Sequence, residues 1–551
     1  MGIFKPQRTI QLPTKDILSW IFDDPHHDKD EPIYIDAKDP SRTLSSNQAR
    51  VIIRKLIAGL HAAGLKKGDC ICVHSFNDIY YPMLFLATVG AGGIFTGSNP
   101  AYTKPELLHH IKTAKVQFLI SEPEIFDAAL SAATEYGIPK SNIWVFDVLQ
   151  QPLPTGFRSW TSLLNSGEED WVRFDDEKMC TETVAGRFFS SGTTGLPKAV
   201  TISHRNWTAQ ITLVQENTRK TWRTRRPLHL PMFHLAIAPV AHLSPLRLGE
   251  TCAVLRRFEL EPFLAAIQNF SLNEVGLVPP IVVLMINSLS IVEKYSLESI
   301  RTVTCGAAPL SKDSQSRLQA LLSSHTTVNQ VWGMTESTCI ATYFPYPEID
   351  FTGSVGLAGS LPNVEIKLID DDGKDISAFD TVGELCVRGP IVTRGYFDNP
   401  KANAESFDSE GFYKSGDIGY CDGKSRKWYI IDRKKELIKV RGFQVAPPEI
   451  EGVLLSHPHI VDAAVIAVKH ATEPEIEHPR AYVVKRPVSE SQSLDEKAVK
   501  AWCGERLAKY KELTGGVKFV DAIPKNPSGK ILKRILRDMA KTEFEQGKAR
   551  L

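Results

Sequence analysis

The sequence predicts an α/β protein with more than one domain. A large N-terminal body of layered α/β subdomains carries a small β-barrel-like subdomain, and a small α+β domain follows at the C-terminus. Three observations point there. A chain of 551 residues, 42% hydrophobic and 23% charged, can bury more than one core. Helical and strand-like hydrophobic patterns alternate through its first half, as in doubly wound proteins. Near Gly353 the texture changes to short alternating segments punctuated by Gly, Asp and Asn.

Each element has its own justification. From Gln48 to Leu65, apolar residues fall at helical spacing at Val51, Ile52, Leu56, Ile57 and Leu60. The runs Cys70 to His74, Val116 to Ile120 and Ile143 to Val148 read as short buried strands. VEIKLID, GELCVRG and KWYIID predict the antiparallel sheet or barrel of the smaller subdomain. The charged run DRKKELIKVRG, Asp432 to Gly442, reads as a linker, with a division into residues 1–433 and 434–551. Beyond it, Pro448 to Ser456 reads as helix, Ala463 to Val468 as strand and Ser493 to Lys509 as helix, a set that suits a C-terminal domain of about 110 residues.

Composition excludes several function classes. Sixty-five basic against sixty-four acidic residues leave a net charge of +1, so no global field recruits nucleic acid or an anionic membrane. The longest apolar run, VGLVPPIVVLMINSL, is broken at Pro279 and Pro280 and is too short for a membrane span. The N-terminus lacks a secretory pattern, and Pro6 and Gln7 stand where a myristoylation signal carries Ser or Thr. Nine cysteines without paired CxxC sets suggest free thiols in a reducing compartment, and fifteen histidines form no HExxH, which argues against a protein-held metal cage.

The stretch FFSSGTTGLPKAV, Phe188 to Val200, carries the strongest local chemistry. Two serines, two threonines, two glycines and a lysine lie between Ser190 and Lys198. Glycines permit close backbone approach, hydroxyls donate and the lysine supplies charge, a combination suited to an anion. It is not a Walker loop: Gly192 and Gly195 are three apart, Lys198 precedes Ala199, and AVTIS alternates like a strand.

This wording resembles the phosphate signature of the adenylate-forming superfamily: acyl-CoA synthetases, 4-coumarate:CoA ligases, luciferases and peptide-synthetase adenylation domains. Further segments match in order: NPAYTKPEL (Asn99–Leu107), PMFH (Pro231–His234), CGAAPL (Cys305–Leu310), QVWGMTEST (Gln330–Thr338), YKSGDIGY (Tyr413–Tyr420), IIDRKKELIKVRGFQVAPPEIE (Ile430–Glu451) and PKNPSGKILKR (Pro524–Arg534). NPAYT, GFQVAPPEIE and PSGKILKR are most similar to the 4-coumarate:CoA ligase-like branch.

The resemblance implies an AMP-forming acid–thiol ligase. It would join a carboxylic acid to AMP from ATP, release pyrophosphate, then pass the acyl group to coenzyme A. Ser190, Ser191, Gly192, Thr193, Thr194, Gly195 and Lys198 would hold the phosphates. Gly306, Ala307, Ala308, Pro309, Gln330, Val331, Trp332, Gly333 and Met334 would form the adenine slot, with Trp332 in place of the branch's usual tyrosine offering a stacking face. Thr335 would contact the α-phosphate and Glu336 would hold Mg2+. Asp417 and Arg433 would take the ribose, with Ser415 where the family usually has threonine. Lys530 would bridge the substrate carboxylate and ATP, and His234 would gate the acyl site.

The same resemblance makes the C-terminal domain mobile, with Lys435 at the hinge and also near the nucleotide. Rotation would bring Lys439, Arg441 and Gly442 to the pocket, with Gln444 supporting it and Arg257 meeting the CoA nucleotide. The acyl pocket would include His234, Ala236, Val240, Gly306, Gly333 and Thr338. Ala236 and Val240 replace larger or polar residues of the hydroxycinnamate enzymes, which favours a medium- or long-chain aliphatic or arylalkyl acid, with a phenylpropanoid acid as the other option. The terminal Ala549-Arg550-Leu551 is a variant of the Ser-Lys-Leu peroxisomal address and implies an import receptor as partner, with the cytoplasm otherwise. Rival readings are a catalytically silent nucleotide-binding protein and an adenylating enzyme whose acceptor is a carrier protein or oxygen.

Overall fold

The computed structural model describes residues 2–190, 196–216, 218, 220–440, 443–470, 473–487, 491, 493–526 and 529–548. Ser191 to Gly195, Arg441, Gly442 and the terminal tripeptide lie outside these residues, so their expected roles have no structural counterpart here.

The first layer is a seven-stranded sheet in the spatial order Arg158–Ser159, Ile143–Val145, Val116–Ser121, Cys70–His74, Ile94–Ser98, Val184–Ser190 and Lys198–Ser203. All neighbours are parallel except the last pair. Every residue of Cys70–His74 is buried, as expected of a parallel strand covered on both faces. The helix Ser46–Ala62 starts where Ser45 and Gln48 form a reciprocal capping box. It buries Ile53, Leu56, Ile57 and Leu60, each contributing about 1.5–3 kcal/mol of transfer free energy.

A second sheet orders Arg225–Leu228, Thr251–Val254, Pro32–Asp36 and Thr43–Ser45, and a third, all parallel, orders Glu274–Leu277, Thr302–Cys305 and Thr327–Gln330. The smaller subdomain is a four-stranded antiparallel sheet of Glu365–Ile369, Gly383–Arg388, Tyr413–Cys421 and Trp428–Arg433 in linear order. This is the antiparallel sheet of the two forms the sequence allowed, its first and last strands unpaired with each other among the described residues.

The C-terminal domain sets the sheet Ile460–His470, Glu473–Lys485 and Val517–Phe519 against the helices Pro447–Leu455, Glu496–Gly504 and Lys533–Lys548. Among the described residues, its two main apolar cores draw on Ile438 and the chain beyond it. The run read as a linker is therefore partly structural. Ile438–Val440 pairs with Phe443–Val445, and Ile438 and Val440 point into the small core while Lys439 stays exposed. Alternation at period two was hidden by the flanking charges. Among the described residues, no helix is long and apolar enough to cross a membrane.

Candidate functional site

The third sheet places the two expected adenine segments. Cys305 and Gln330 are register partners at the ends of adjacent parallel strands, so CGAAPL and QVWGM emerge side by side beyond the carboxyl ends. Ligands of open α/β sheets bind in such crevices. Gly306 follows directly, with a Cβ there meeting Val331 Cγ2 at 3.0 Å, and Ala307 holds a φ of +74°. A non-glycine residue in that region is strained and persists where the surroundings over-determine it. Ala308 is half-buried, and Pro309 and Ala307 are exposed at the rim.

Two members of the expected slot do something else. The Gln330 amide is committed to protein: its oxygen accepts from the Leu310 N–H at 2.9 Å and its nitrogen donates to the Leu310 carbonyl at 3.0 Å. Gln330 thus positions the CGAAPL loop. Trp332 is only 6% exposed, and its indole N–H donates to Asp417 Oδ2 at 2.8 Å. The open stacking face expected of it gives way to a role in orienting Asp417. Val331 and Met334 are half-buried. Gly333 is exposed, and only glycine fits: a Cβ would lie 1.7 Å from the Cys339 carbonyl oxygen.

Asp417 and Arg433 face each other as register partners on adjacent antiparallel strands, 3.4 Å apart. Burial raises the Asp417 carboxyl, and the Arg433 cation and the Trp332 indole oppose that. Ser415 accepts the Asp417 N–H at 3.0 Å and donates to the Leu385 carbonyl, so the hydroxyl retained at this position locks the turn.

Thr335 stands half-buried at the start of the short 3-10 turn Thr335–Ser337. Glu336 is 7% exposed, and its Oε1 accepts from the Tyr396 hydroxyl at 2.8 Å. Tyr396 also pairs with the Tyr413 hydroxyl at 2.8 Å, and the Lys198 ammonium lies 4.7 Å from the Tyr396 ring centroid. Ser190 and Lys198 are the last register pair of the antiparallel strands that flank the glycine-rich segment. Tyr396 thereby couples the end of that strand pair to Glu336.

Lys530 enters this cleft from the C-terminal domain. Its N–H donates to Asn526 Oδ1 at 2.8 Å, and Gly529 packs so that a Cβ would lie 2.7 Å from Pro280 Cγ of the large domain. Burial lowers the Lys530 ammonium to about 8, with Arg433 adding to the effect and Glu436, Asp417 and Glu336 opposing it. Burial, assisted by Lys530, holds His234 down to about 4. The structure therefore brings Lys530, His234, Glu336, Asp417 and Arg433 together from two domains.

The expected acyl-side residues gather around the His234 turn. The His234 N–H donates to the Pro231 carbonyl, and its Nδ1 accepts the N–H of exposed Ala236 at 3.1 Å. Cys339, the one half-buried thiol among nine free cysteines, donates to the Ala236 carbonyl at 3.2 Å. Val240 is half-buried against the main core. Thr338 is fully buried, and its hydroxyl donates to the Ile391 carbonyl at 2.6 Å. Its side chain braces the site from behind instead of lining it.

The remaining expected residues lie elsewhere. Lys435 occupies the turn between the strands Trp428–Arg433 and Ile438–Val440, where the Glu436 and Leu437 N–H groups return to the Arg433 carbonyl. Lys439 is exposed, donates its N–H to Glu477 and pairs with Gln444 in the hairpin. Arg257 is exposed beside Glu259 at 3.1 Å. Sequence reasoning missed Tyr396, Glu436 and Asn77. Asn77 donates to the Leu228, Leu230 and Leu255 carbonyls and accepts the Met232 N–H, fixing the base of the His234 turn. RGYFDNP offered a signal for Tyr396. Asn77, in an ordinary FND triplet, offered none.

A family model described as AMP-binding enzyme matches residues 22–397, and one described as AMP-binding enzyme C-terminal domain matches residues 449–530. The chain belongs to the AMP-binding enzyme family. It is 54% identical to Phenylacetyl-CoA ligase epaB of Aspergillus niger, covering 97% of this chain and 98% of the relative. It is 53% identical to Acyl-CoA ligase azaF of Aspergillus niger, covering 97% and 100%. Among solved structures, ATP-bound MatB from Rhodopseudomonas palustris superposes with a TM-score of 0.81 at 26% identity, over 96% of this chain and 99% of that one. The anthranilate CoA ligase AuaEII, at 20% identity and a TM-score of 0.84, shares the fold.

Proposed function

We propose that this AMP-binding enzyme, an ATP-dependent acyl-CoA ligase, acts on an arylalkyl or alkyl carboxylic acid of the phenylacetate kind. A carboxylate oxygen attacks the α-phosphorus of ATP, the bond to the bridging oxygen breaks, and pyrophosphate leaves. The thiol of coenzyme A then loses its proton and attacks the acyl carbon, and AMP departs. The observation that carries this reading is Lys530, a half-buried cation that the small domain brings within electrostatic range of His234, Glu336 and Asp417. Two anions must meet in one water-poor cleft, and a fixed cation between them lowers that repulsion.

Asp417 and Arg433, braced by Trp332, are assigned to the ribose, and Thr335 to the α-phosphate. Magnesium takes one or two carboxylates plus phosphate oxygens and water, and Glu336, oriented by Tyr396, fits that donor set. Bound there, the ion would offset phosphate charge. Lys435 is assigned as the hinge; after rotation Lys439 and the Arg441–Gly442 segment would face the pocket and Arg257 the CoA nucleotide. Proline at position 435 fixes φ and is expected to trap the adenylation pose.

Support for the acid class comes from Ala236, whose methyl leaves room at the His234 turn, and from the name of the A. niger phenylacetyl-CoA ligase. The terminal Ala549-Arg550-Leu551 is assigned as a peroxisomal address. A panel of carboxylic acids assayed for AMP release with and without CoA tests the function. Phenylacetate-like acids are expected to give CoA-dependent AMP. AMP release that is independent of CoA, or confined to hydroxycinnamates, would overturn the assignment.

A further inference from the structure

The helix Pro279–Asn287 of the large domain touches the small domain at both of its ends. At its start Pro280 seats Gly529, the residue next to Lys530. At its end Asn287 Oδ1 accepts from both terminal nitrogens of Arg486, at 3.2 and 3.3 Å. Nine residues of helix rise about 12 Å. Two contacts that far apart on one rigid rod fix an angle as well as a position, whereas Gly529 alone would leave the small domain free to pivot.

Arg486 is prepared for this contact by its own domain. Its N–H donates to the His459 carbonyl at 2.9 Å and its Nε to the Pro458 carbonyl at 3.0 Å, so the guanidinium fork is aimed before it meets Asn287. On the other side, Arg317 Nη2 donates to the same Asn287 oxygen at 3.3 Å and to the Ile286 carbonyl at 3.2 Å. Two cations thus share one neutral amide oxygen. A carboxylate there would add a full opposite charge and could pair with the guanidinium fork bidentately, holding it more tightly. The neutral acceptor gives a contact weak enough to break in each cycle, as a domain that must leave after adenylation requires.

We propose that Arg486 is a positioning residue for adenylation: with Gly529 on Pro280, its bond to Asn287 latches the small domain onto the helix Pro279–Asn287 and holds Lys530 in the cleft. This rests on Lys530 being the adenylating lysine. The latch acts on the first half-reaction alone, and its strength sets how readily the second begins.

The test separates the half-reactions in the full-length protein: acid-dependent ATP–pyrophosphate exchange, and thioester formation from CoA and a supplied acyl-adenylate. Arg486→Ala is expected to slow exchange by about ten- to a hundredfold, the range for losing hydrogen bonds to a charged group, while thioester formation holds its rate. Asn287→Asp, which preserves shape, should act the other way. Exchange is kept or improved, CoA-dependent turnover falls about fivefold, and the fall shrinks in high salt because the new contact is ionic. Equal loss of both half-reactions in Arg486→Ala, no loss in either, or impaired exchange in Asn287→Asp overturns the latch. Lys530→Ala run in parallel separates the two readings. If it keeps full exchange, the site assignment itself fails; if it loses exchange while the Arg486 and Asn287 variants behave as wild type, only the latch fails.

Discussion

The indole N–H of Trp332 reaches across 85 positions of sequence to donate to Asp417 Oδ2 at 2.8 Å. Asp417 is buried, and a buried carboxylate needs its donors to stay oriented and ionised. On the proposed ribose role of Asp417, the bond serves nucleotide binding. Trp332→Phe keeps the ring's packing and removes the donor. It is expected to raise the KM for ATP about five- to twentyfold with little change in kcat. An unchanged KM would leave Asp417 held by Arg433 and Ser415 alone.

Lys530 supplies a pH signature. Burial first, and Arg433 second, lower its ammonium to about 8 in the free protein. A lysine that must carry charge works below that value and fails above it. The kcat/KM for pyrophosphate exchange should be level up to about pH 8 and then fall about tenfold per pH unit, since it reports the free enzyme. In the complex the negative phosphates favour the protonated lysine, so the limb in kcat lies at higher pH. His234, held near 4, stays neutral over this range and adds no limb. Lys530→Ala should lose exchange and keep thioester formation from a supplied acyl-adenylate. A basic limb that persists unchanged in that variant would belong to another group.

How much of this was legible in sequence depended on how local each signal is. The strand Cys70–His74 could be read because burial on both faces makes it a continuous apolar run, and the helices near Gln48 and Pro448 because burial on one face imposes a period of 3.6. The nucleotide segments could be read because each is a contiguous phrase. Tyr396 and Glu336, 60 positions apart, meet only through tertiary packing, as do Arg486 and Asn287, 199 apart. No periodicity encodes such pairs. Gln330 and Trp332 sit in phrases that mark the site, yet their side chains turn inward to Leu310 and Asp417. Motif membership placed them at the candidate site without revealing which partner each side chain takes. The short alternation Ile438, Lys439, Val440 was masked by its charged flanks.

Ala236 offers a specificity test. It is exposed beside His234, and its carbonyl is held by Cys339. An aromatic ring at this position would fill the space that the methyl leaves. Ala236→Phe is expected to lower kcat/KM for phenylacetate-like acids by about ten- to a hundredfold while acids of two or three carbons lose little, since pocket volume discriminates by a few kcal/mol at most. The KM for ATP serves as the control and should stay constant. A uniform loss over all acids would place Ala236 outside the acyl path.

Gly529 must satisfy two demands at once. Its φ of +81° lies in the left-handed region, where a side chain strains the backbone, and a Cβ would press on Pro280 Cγ at 2.7 Å and Cδ at 2.9 Å. Pro280 begins a helix and cannot yield as a flexible side-chain tip would. Both penalties fall on the pose in which Lys530 occupies the cleft, but only the φ penalty follows the loop elsewhere. Gly529→Ala should therefore slow pyrophosphate exchange by about ten- to a hundredfold, given about 1–3 kcal/mol for such strain, while thioester formation from acyl-adenylate survives. Pro280→Ala removes the ring that the added methyl meets. Combined with Gly529→Ala, it should restore part of the exchange rate, and a double variant no faster than Gly529→Ala alone would assign the whole defect to the backbone of the turn.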